Sequence, residues 1–395
     1  MSERSERLCF VVNQGLLDGS AHALYCVRHC WWLAKVAPEC AVELLFPGRE
    51  GPGQILSHFG LEPLPNFQLK GFPAVRRKKG AAGITVNAVY HLSLLLHFRR
   101  ARAERIILAT ASFPRLFSFL LSRHSIRSRA TAIFEVHQLA SLEERAEPSK
   151  IEFELNVLRA SDVLITTTHA LADLLRQQFA DAHIHHVGLA CGFDAALVPP
   201  ITPAADGAFR LGYIGSLYPE QGMDWLLENW TELRAGQPRK LQLEVFGGPV
   251  QDASRLAARI SSAGLESVFL RGAVPPSQLL PHLAQIDALI IPTLANGRMP
   301  FVALTKAYDY LGLNRPIIAS DLPSIREVIG ETEGFLYRAG DASDLKTVLG
   351  RLLSDPQSAE SMNAYAAHRG RELSWEKRAH QWWDHVQSEL KGNNP

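Results

Sequence analysis

Residues 296–311, Asn-Gly-Arg-Met-Pro-Phe-Val-Ala-Leu-Thr-Lys-Ala-Tyr-Asp-Tyr-Leu, set a cation and a carboxylate just past a Gly/Pro loop that opens a helix. At helical spacing Thr305, Lys306 and Asp309 share one face, while Leu304, Ala307, Tyr308 and Leu311 share the other. Two chemistries fit. One is a solvated Lys/Asp pair. The other is a clamp in which Lys306, Arg298 and the helix N-terminus hold a diphosphate and Asp309 binds a ribose. A second segment, residues 211–222, leaves a strand, turns and enters a helix. Gly215 would let backbone approach a phosphate there, and the following helix N-terminus favours anions. A plain turn glycine fits the same spacing. His137 follows the apolar run 132–136. It reads as a hydrogen-bonded loop residue or as a polar group lining a site at a strand's carboxyl end. Gly19, in the turn after the first strand, reads as a turn glycine or as part of such a site.

Other chemistries find less support. His22, Cys26 and Cys30 recur at four-residue steps on one expected helix, but three ligands from a single helix without a partner cluster make poor zinc geometry. Small buried cysteines are the better reading. His183, His185 and His186 read as strand-edge polar residues. There is no Asp-x-Asp at a strand end to hold a divalent cation on a diphosphate. There is also no Gly-x-Ser-x-Gly, no Walker lysine loop and no Gly-x-Gly-x-x-Gly. No metal and no cofactor are expected.

The elements that must position these residues are legible from composition and periodicity. With 395 residues, 47% of them hydrophobic, the chain can build two packed cores. Short runs rich in Val, Ile and Phe predict strands at 8–12, 41–46, 105–109, 132–136, 163–166 and 184–189, with helices such as 22–36 and 170–179 between them. Residues 198–207, rich in Pro and small side chains, read as a linker. The pattern then restarts, with strands expected at 209–214, 241–246, 268–270, 288–291 and 316–319. Helices are expected at 223–233, 254–263, 276–283, 302–311 and 344–353. Alternation of this kind predicts parallel sheets flanked by helices, in two tandem Rossmann-like halves facing a central cleft. The halves are expected at 1–200 and 208–372, with a helix at 373–395 returning to the first.

The formal net charge is +1, so the whole molecule exerts no strong field. Charge is nonetheless uneven: residues 70–130 hold thirteen Lys/Arg against one acid, Glu104. That stretch is either a solvated surface or a contact for an anionic partner, such as a membrane leaflet or a phosphate-bearing acceptor. Without interleaved aromatics or a recognition motif, nucleic acid is not expected. The five cysteines are irregularly spaced and fit a reducing compartment. No leader-like segment precedes the first apolar run, and no apolar stretch reaches the length of a membrane span. A cytoplasmic protein, peripheral at the inner face of the membrane, is the expectation.

Taken in order, these segments resemble family 4, or group 1, of the retaining nucleotide-sugar glycosyltransferases, over nearly the whole chain. Phe134-Glu135-Val136-His137 is similar to that family's strand ending in histidine, and residues 154–166 to the helix and strand that follow. Residues 186–194 resemble its strand closing with Asn-Gly-Val-Asp. In the second half, residues 213–222 resemble the diphosphate-binding turn. Val245-Phe246-Gly247-Gly248 resembles the next glycine pair, and residues 269–274 the segment whose backbone reads the base. Residues 286–292 look like the strand before the donor loop, and residues 316–328 like the family's most recognisable strand and turn. Ser374-Trp375-Glu376 leads a final helix. Departures are specific: Ser216 and Gln221 stand where the family commonly has cations, Phe301 where it has a first glutamate, and Asp309 where it has the second. Lys306 matches a lysine found in a subset of the family.

The resemblance implies the GT-B fold and retaining, metal-independent transfer from a nucleotide-sugar donor to a hydroxyl acceptor. The setting it implies is polysaccharide or glycolipid assembly, with a glycan or lipid-linked acceptor. It places the donor on the second half: Gly215, Ser216, Gln221 and Gly247 at the diphosphate, Val274 backbone at the base, Asp309 at the ribose. Arg298 and Lys306 would stand in for the missing cations, beside Phe301 and Val302. His137 and Gly19 would border the transferring sugar. The catalytic set would be His137, Lys306 and Asp309. Two alternatives stand beside it: a non-catalytic nucleotide-sugar-binding or partner subunit, and a sugar-nucleotide epimerase.

Overall fold

A computed structural model describes residues 6–17, 20–74, 83–100, 106–111, 114–143, 146–274 and 276–392. The chain divides into two compact units, residues 1–188 with 375–395, and residues 189–374.

Among the described residues the first unit builds a seven-stranded sheet in the order β3-β2-β1-β4-β5-β6-β7. Its strands are β1 (Arg7–Val11), β2 (Ala41–Pro47), β3 (Phe67–Phe72), β4 (Ile106–Ala111), β5 (Ala130–Val136), β6 (Val163–Thr166) and β7 (Ile184–His186). All pairings are parallel. Parallel neighbours need crossover helices, which cover both faces, so the inner strands read as continuous apolar runs rather than alternations. β4, β5 and β6 are buried along their whole length. The edge strand β3, Phe-Gln-Leu-Lys-Gly-Phe, alternates instead and carries Lys70, so it escaped the run-based reading. Across β1 and β2 a buried carboxylate is neutralised: Glu43 accepts from Lys70 Nζ (2.6 Å) and Arg7 Nη1 (3.3 Å), and His97 Nε2 lies at 2.9 Å. All five cysteines are buried, and none forms a disulfide.

The C-terminal helix Trp375–Gly392 belongs to this first unit and packs on the helix Ala21–Val36. Trp382 and Val386 are fully buried in that packing. At its far end Glu389 receives His183 Nδ1 (2.8 Å) and His185 Nε2 (2.9 Å) from the edge of the sheet.

The second unit repeats the plan with a six-stranded sheet, β10-β9-β8-β11-β12-β13. Its strands are β8 (Phe209–Ser216), β9 (Leu241–Gly248), β10 (Val268–Gly272), β11 (Ala288–Ile291), β12 (Ile317–Asp321) and β13 (Phe335–Arg338). The short edge strand β13 was not anticipated. In both sheets the order reverses beside the first strand, at β1/β4 and β8/β11. Ligands of doubly wound sheets bind at the carboxyl ends of strands next to such a reversal.

Three expectations change. The Pro-rich stretch 198–207 is not a free linker, and the boundary falls at Gly188/Leu189. Residues of that stretch lie on the second unit: the buried Arg315 donates to Pro199 O (2.8 Å), and Thr202 N donates to Ala284 O (2.7 Å). The helix expected from 302 starts at Thr305, because Phe301 and Val302 N–H groups both turn back to Arg298 O. The helix expected from 254 starts earlier, at Val250. Of the basic stretch, Arg76, Arg77, Lys78, Lys79, Arg102 and Arg105 lie outside the described residues, as does Gly19. Among the described residues no helix is long and apolar enough to cross a membrane.

Candidate active site

In the second unit the candidate residues gather at the carboxyl end of β8. Gly215 and Gly247 are paired across β8 and β9. A Cβ on Gly247 would stand 2.1 Å from Gly215 O, so only glycine permits this approach. The turn continues through Pro219–Gln221 to Gly222, whose φ is 82°. A Cβ there would meet Pro292 O at 1.7 Å. The loop after β8 is thereby pressed onto the end of β11, at the reversal point.

The helix Thr305–Leu311 is keyed to the same strand end by two side chains. Tyr310 OH accepts from Ile214 N (2.7 Å) and lies 3.0 Å from Ile214 O. Lys306 Nζ donates to Tyr213 OH (2.7 Å) and lies 4.3 Å from the centroid of that ring. Tyr213 OH in turn donates to Ser216 O. Lys306 is only 9% exposed, and among the described residues no carboxylate pairs with it. Burial lowers its pKa from 10.5 to about 7. A Cβ on Gly215 would sit 3.2 Å from Lys306 Cε, so the ammonium lies directly under the glycine turn. A buried cation without a counter-charge, beneath open backbone at a strand end, is a place where an anion gains more than it would at the surface.

This overturns the solvated Lys/Asp pair. Lys306 turns inward, whereas Asp309 Oδ1 accepts from Gly192 N (2.9 Å), fastening the start of the second unit to the helix. Three residues along a helix do not share a partner when one is drawn under a strand and the other to a loop. Arg298 Nη2 meets Glu220 Oε1 at 3.1 Å, which brings Arg298 beside Gln221. Gln221 is buried, and its Oε1 has no hydrogen-bond partner among the described residues. Phe301 and Val302 are half-buried in the turn before the helix, and Val274 is half-buried just past β10. The structure thus joins Gly215, Ser216, Gly247 and Lys306, with Gln221 and Arg298 on the adjoining turn. Tyr213 and Tyr310, which orient that group, were missed as site residues; their only sequence signal was a hydroxyl on the strand and the helix that carry the candidates.

In the first unit His137 stands just past β5 with 17% of its side chain exposed. Behind it lies a buried polar network. His137 Nε2 is 3.1 Å from Glu135 Oε2, and Tyr25 OH donates to the same oxygen. Arg378, from the C-terminal helix, donates through Nη2 to Tyr25 OH (2.6 Å) and through Nη1 to His29 Nδ1 (2.8 Å). Its Nη2 is also 3.7 Å from Glu135 Oε2, and His29 Nε2 faces Glu135 Oε1 at 3.1 Å. Burial pushes the Glu135 carboxyl up, but His29, Arg378 and the bond from His137 outweigh it and hold the group well below the usual carboxylate range. His22, its ring 5.8 Å from His137, is held down to about 3 by burial and by His137. His22 is therefore a neutral neighbour of His137. Glu135 and Arg378 lie 243 positions apart in sequence, and no local pattern connects them.

Residues 208–355 match the family described as Glycosyl transferases group 1. The MMP alpha-(1->4)-mannosyltransferase of Mycolicibacterium hassiacum is 26% identical over 240 residues, 58% of this chain and 55% of that protein. The GDP-mannose-dependent alpha-(1-6)-phosphatidylinositol monomannoside mannosyltransferase of Mycolicibacterium smegmatis is 27% identical over 159 residues, 39% of this chain and 41% of that protein. The chain thus spans about half the length of the curated relatives it matches. Among solved structures, sucrose-phosphate synthase from Thermosynechococcus elongatus superposes over 98% of this chain and 100% of its own, with a TM-score of 0.77 at 16% identity. Anabaena Alr3699/HepE in complex with UDP covers 97% of this chain and 100% of its own, with a TM-score of 0.71 at 14% identity. At such identities the likeness concerns the fold, which is the GT-B arrangement of two Rossmann-like domains. The family match thus falls on the second unit, whose residues 208–355 are similar to the group 1 glycosyl transferases.

Proposed function

We propose that this protein transfers a sugar from a nucleoside-diphosphate sugar to a hydroxyl acceptor, with retention and without a metal, in envelope polysaccharide or glycolipid assembly. The observation that carries this reading is Lys306: a buried amine without a carboxylate partner among the described residues, under the Gly215 turn, at the reversal point of the second sheet. A bound diphosphate would supply the missing counter-charge. A positive group placed against the leaving diphosphate also stabilises the charge that grows there as the glycosidic bond breaks. Glycine at 215 and 247 leaves backbone accessible beside it. Arg298 would add a second cation, since a guanidinium with five N–H donors can meet Glu220 and still reach a phosphate. Asp309 would meet the ribose, because a carboxylate accepts more than one hydrogen bond. Val274 backbone would meet the base.

Retention follows from the family resemblance, with the leaving diphosphate helping to deprotonate the acceptor and the protein supplying position and charge. His137 and Gly19 would border the transferring sugar. The acceptor is a glycan or lipid-linked hydroxyl; one relative is named a phosphatidylinositol monomannoside mannosyltransferase. The cytoplasmic face of a membrane is the setting that a peripheral, basic first unit would suit. The test titrates UDP, GDP, ADP and their common sugar derivatives against wild type, Lys306→Ala and Asp309→Ala. Micromolar binding of one nucleotide, lost in both variants, is the expected result, followed by transfer to a lipid or glycan acceptor. A folded protein that binds no nucleotide would sink the site. Interconversion of the sugar nucleotide without acceptor would make the protein an epimerase instead.

A further inference from the structure

The network behind His137 has a directional logic that the donor site does not require. Glu135 is fully buried and Arg378 is 2% exposed, yet the ring they support is open to solvent on one side. An ionised carboxylate only accepts hydrogen bonds. Facing Glu135 Oε2 at 3.1 Å, His137 Nε2 must therefore carry the proton. In the neutral ring that leaves Nδ1 as an acceptor. The same argument fixes the partner ring: Arg378 Nη1 donates to His29 Nδ1, so His29 carries its proton on Nε2, toward Glu135. Tyr25 OH accepts from Arg378 and donates to Glu135. The hydrogen bonds through Tyr25 therefore run from the guanidinium to the carboxylate, and His137 donates to the same carboxylate oxygen at the open end.

We propose that Arg378, delivered by the C-terminal helix, is a positioning residue for His137: through Tyr25 and Glu135 it fixes the Nε2–H tautomer and leaves Nδ1 to meet a substrate hydroxyl. This rests on the reading of the chain as a sugar transferase with His137 beside the transferring sugar. Without the guanidinium, Glu135 is a buried carboxylate short of a cation. It takes up a proton, becomes a donor, and drives His137 toward the Nδ1–H form. The C-terminal helix then has a second task besides packing: it carries the charge on which the state of His137 depends. The groups facing His137 and Glu135 are His22, Tyr25, Cys26, His29 and Cys30 from the helix Ala21–Val36, and Arg378 from the C-terminal helix.

The test is a long-range proton–nitrogen spectrum of the imidazole rings in the full-length protein, with the His137 signals assigned by difference against His137→Ala. Wild type is expected to show the Nε2–H pattern for His137, Arg378→Gln a shift to Nδ1–H or a mixture, and Arg378→Lys the wild-type pattern. Should Arg378→Gln fail to fold, Glu135→Gln gives the same readout, since an amide can donate to His137. With UDP-glucose or GDP-mannose, whichever the nucleotide screen selects, Arg378→Gln should lower kcat at least about tenfold and displace the acid limb of its pH profile. KM for that donor should stay unchanged. A wild-type Nδ1–H tautomer, or a tautomer indifferent to both substitutions, overturns the proposal. If the tautomer responds as stated but no sugar nucleotide is bound or turned over, the wiring stands and the transferase reading falls.

Discussion

Replacing Lys306 by Met should make the protein more stable and abolish nucleotide binding. Burial lowers the Lys306 pKa from 10.5 to about 7, a displacement of about 3.5 on the pH scale, and each unit is worth about 1.4 kcal/mol. The sign follows from proton counting. Between those values the unfolded chain holds a proton that the folded chain releases, so stability rises as pH rises through that window. The penalty is about 5 kcal/mol below pH 7, about 4 kcal/mol at pH 7 and about 1 kcal/mol at pH 9.5. Met has similar length and no charge. It forfeits the bond to Tyr213 OH, worth about 1 kcal/mol. The Met variant should therefore exceed wild type by roughly 1–3 kcal/mol at pH 7 and by nothing at pH 9.5. Urea unfolding, followed by the fluorescence of Trp225 and Trp230 in the second unit, measures both. Isothermal titration with UDP and GDP measures the accompanying loss of binding. A Met variant less stable than wild type at pH 7, or a difference that does not shrink by pH 9.5, would refute the buried-cation account. Retained nucleotide affinity would remove Lys306 from the site.

Gly222→Ala sets a methyl 1.7 Å from Pro292 O at a φ of 82°, so the second unit should lose about 3 kcal/mol or more, read as a fall in its urea midpoint. Glu43→Gln should destabilise the first unit at neutral pH. Burial raises that carboxyl, but the bonds from His97 and Lys70 outweigh it and hold the group at about 2. The stability it contributes is present above its unfolded value of 4.5 and is lost as pH falls toward 2. Wild type and variant should therefore converge in an acid titration. Changing Arg76, Arg77, Lys78 and Lys79 to Ala should weaken binding to anionic vesicles by about 1 kcal/mol per residue. Unchanged vesicle affinity would remove that stretch as a membrane anchor.

Much of the scaffold could be read before any coordinates, because continuous apolar runs between turn signals are what buried parallel strands require. β6 and β11 fall where expected to the residue, and most other central strands to within one or two. The edge strands β3 and β13 were missed since one exposed face breaks the run. Gly215, Gly247 and Lys306 were picked out by type and by family resemblance. Their meeting at one strand end depends on strand pairing that no local window contains. Sequence spacing put Lys306 and Asp309 together; packing sent one under β8 and the other to Gly192. The network around His137 was illegible for a stronger reason: Tyr25, Glu135 and Arg378 come from three distant segments. A helix that closes back onto the first unit from the far end of the chain is a tertiary event. The amino-acid order alone determined two doubly wound sheets and a group of candidate cations. The folded structure decided which cation is buried, which carboxylate is occupied and which tautomer a histidine holds, because burial and hydrogen-bond direction exist only once distant segments share a site.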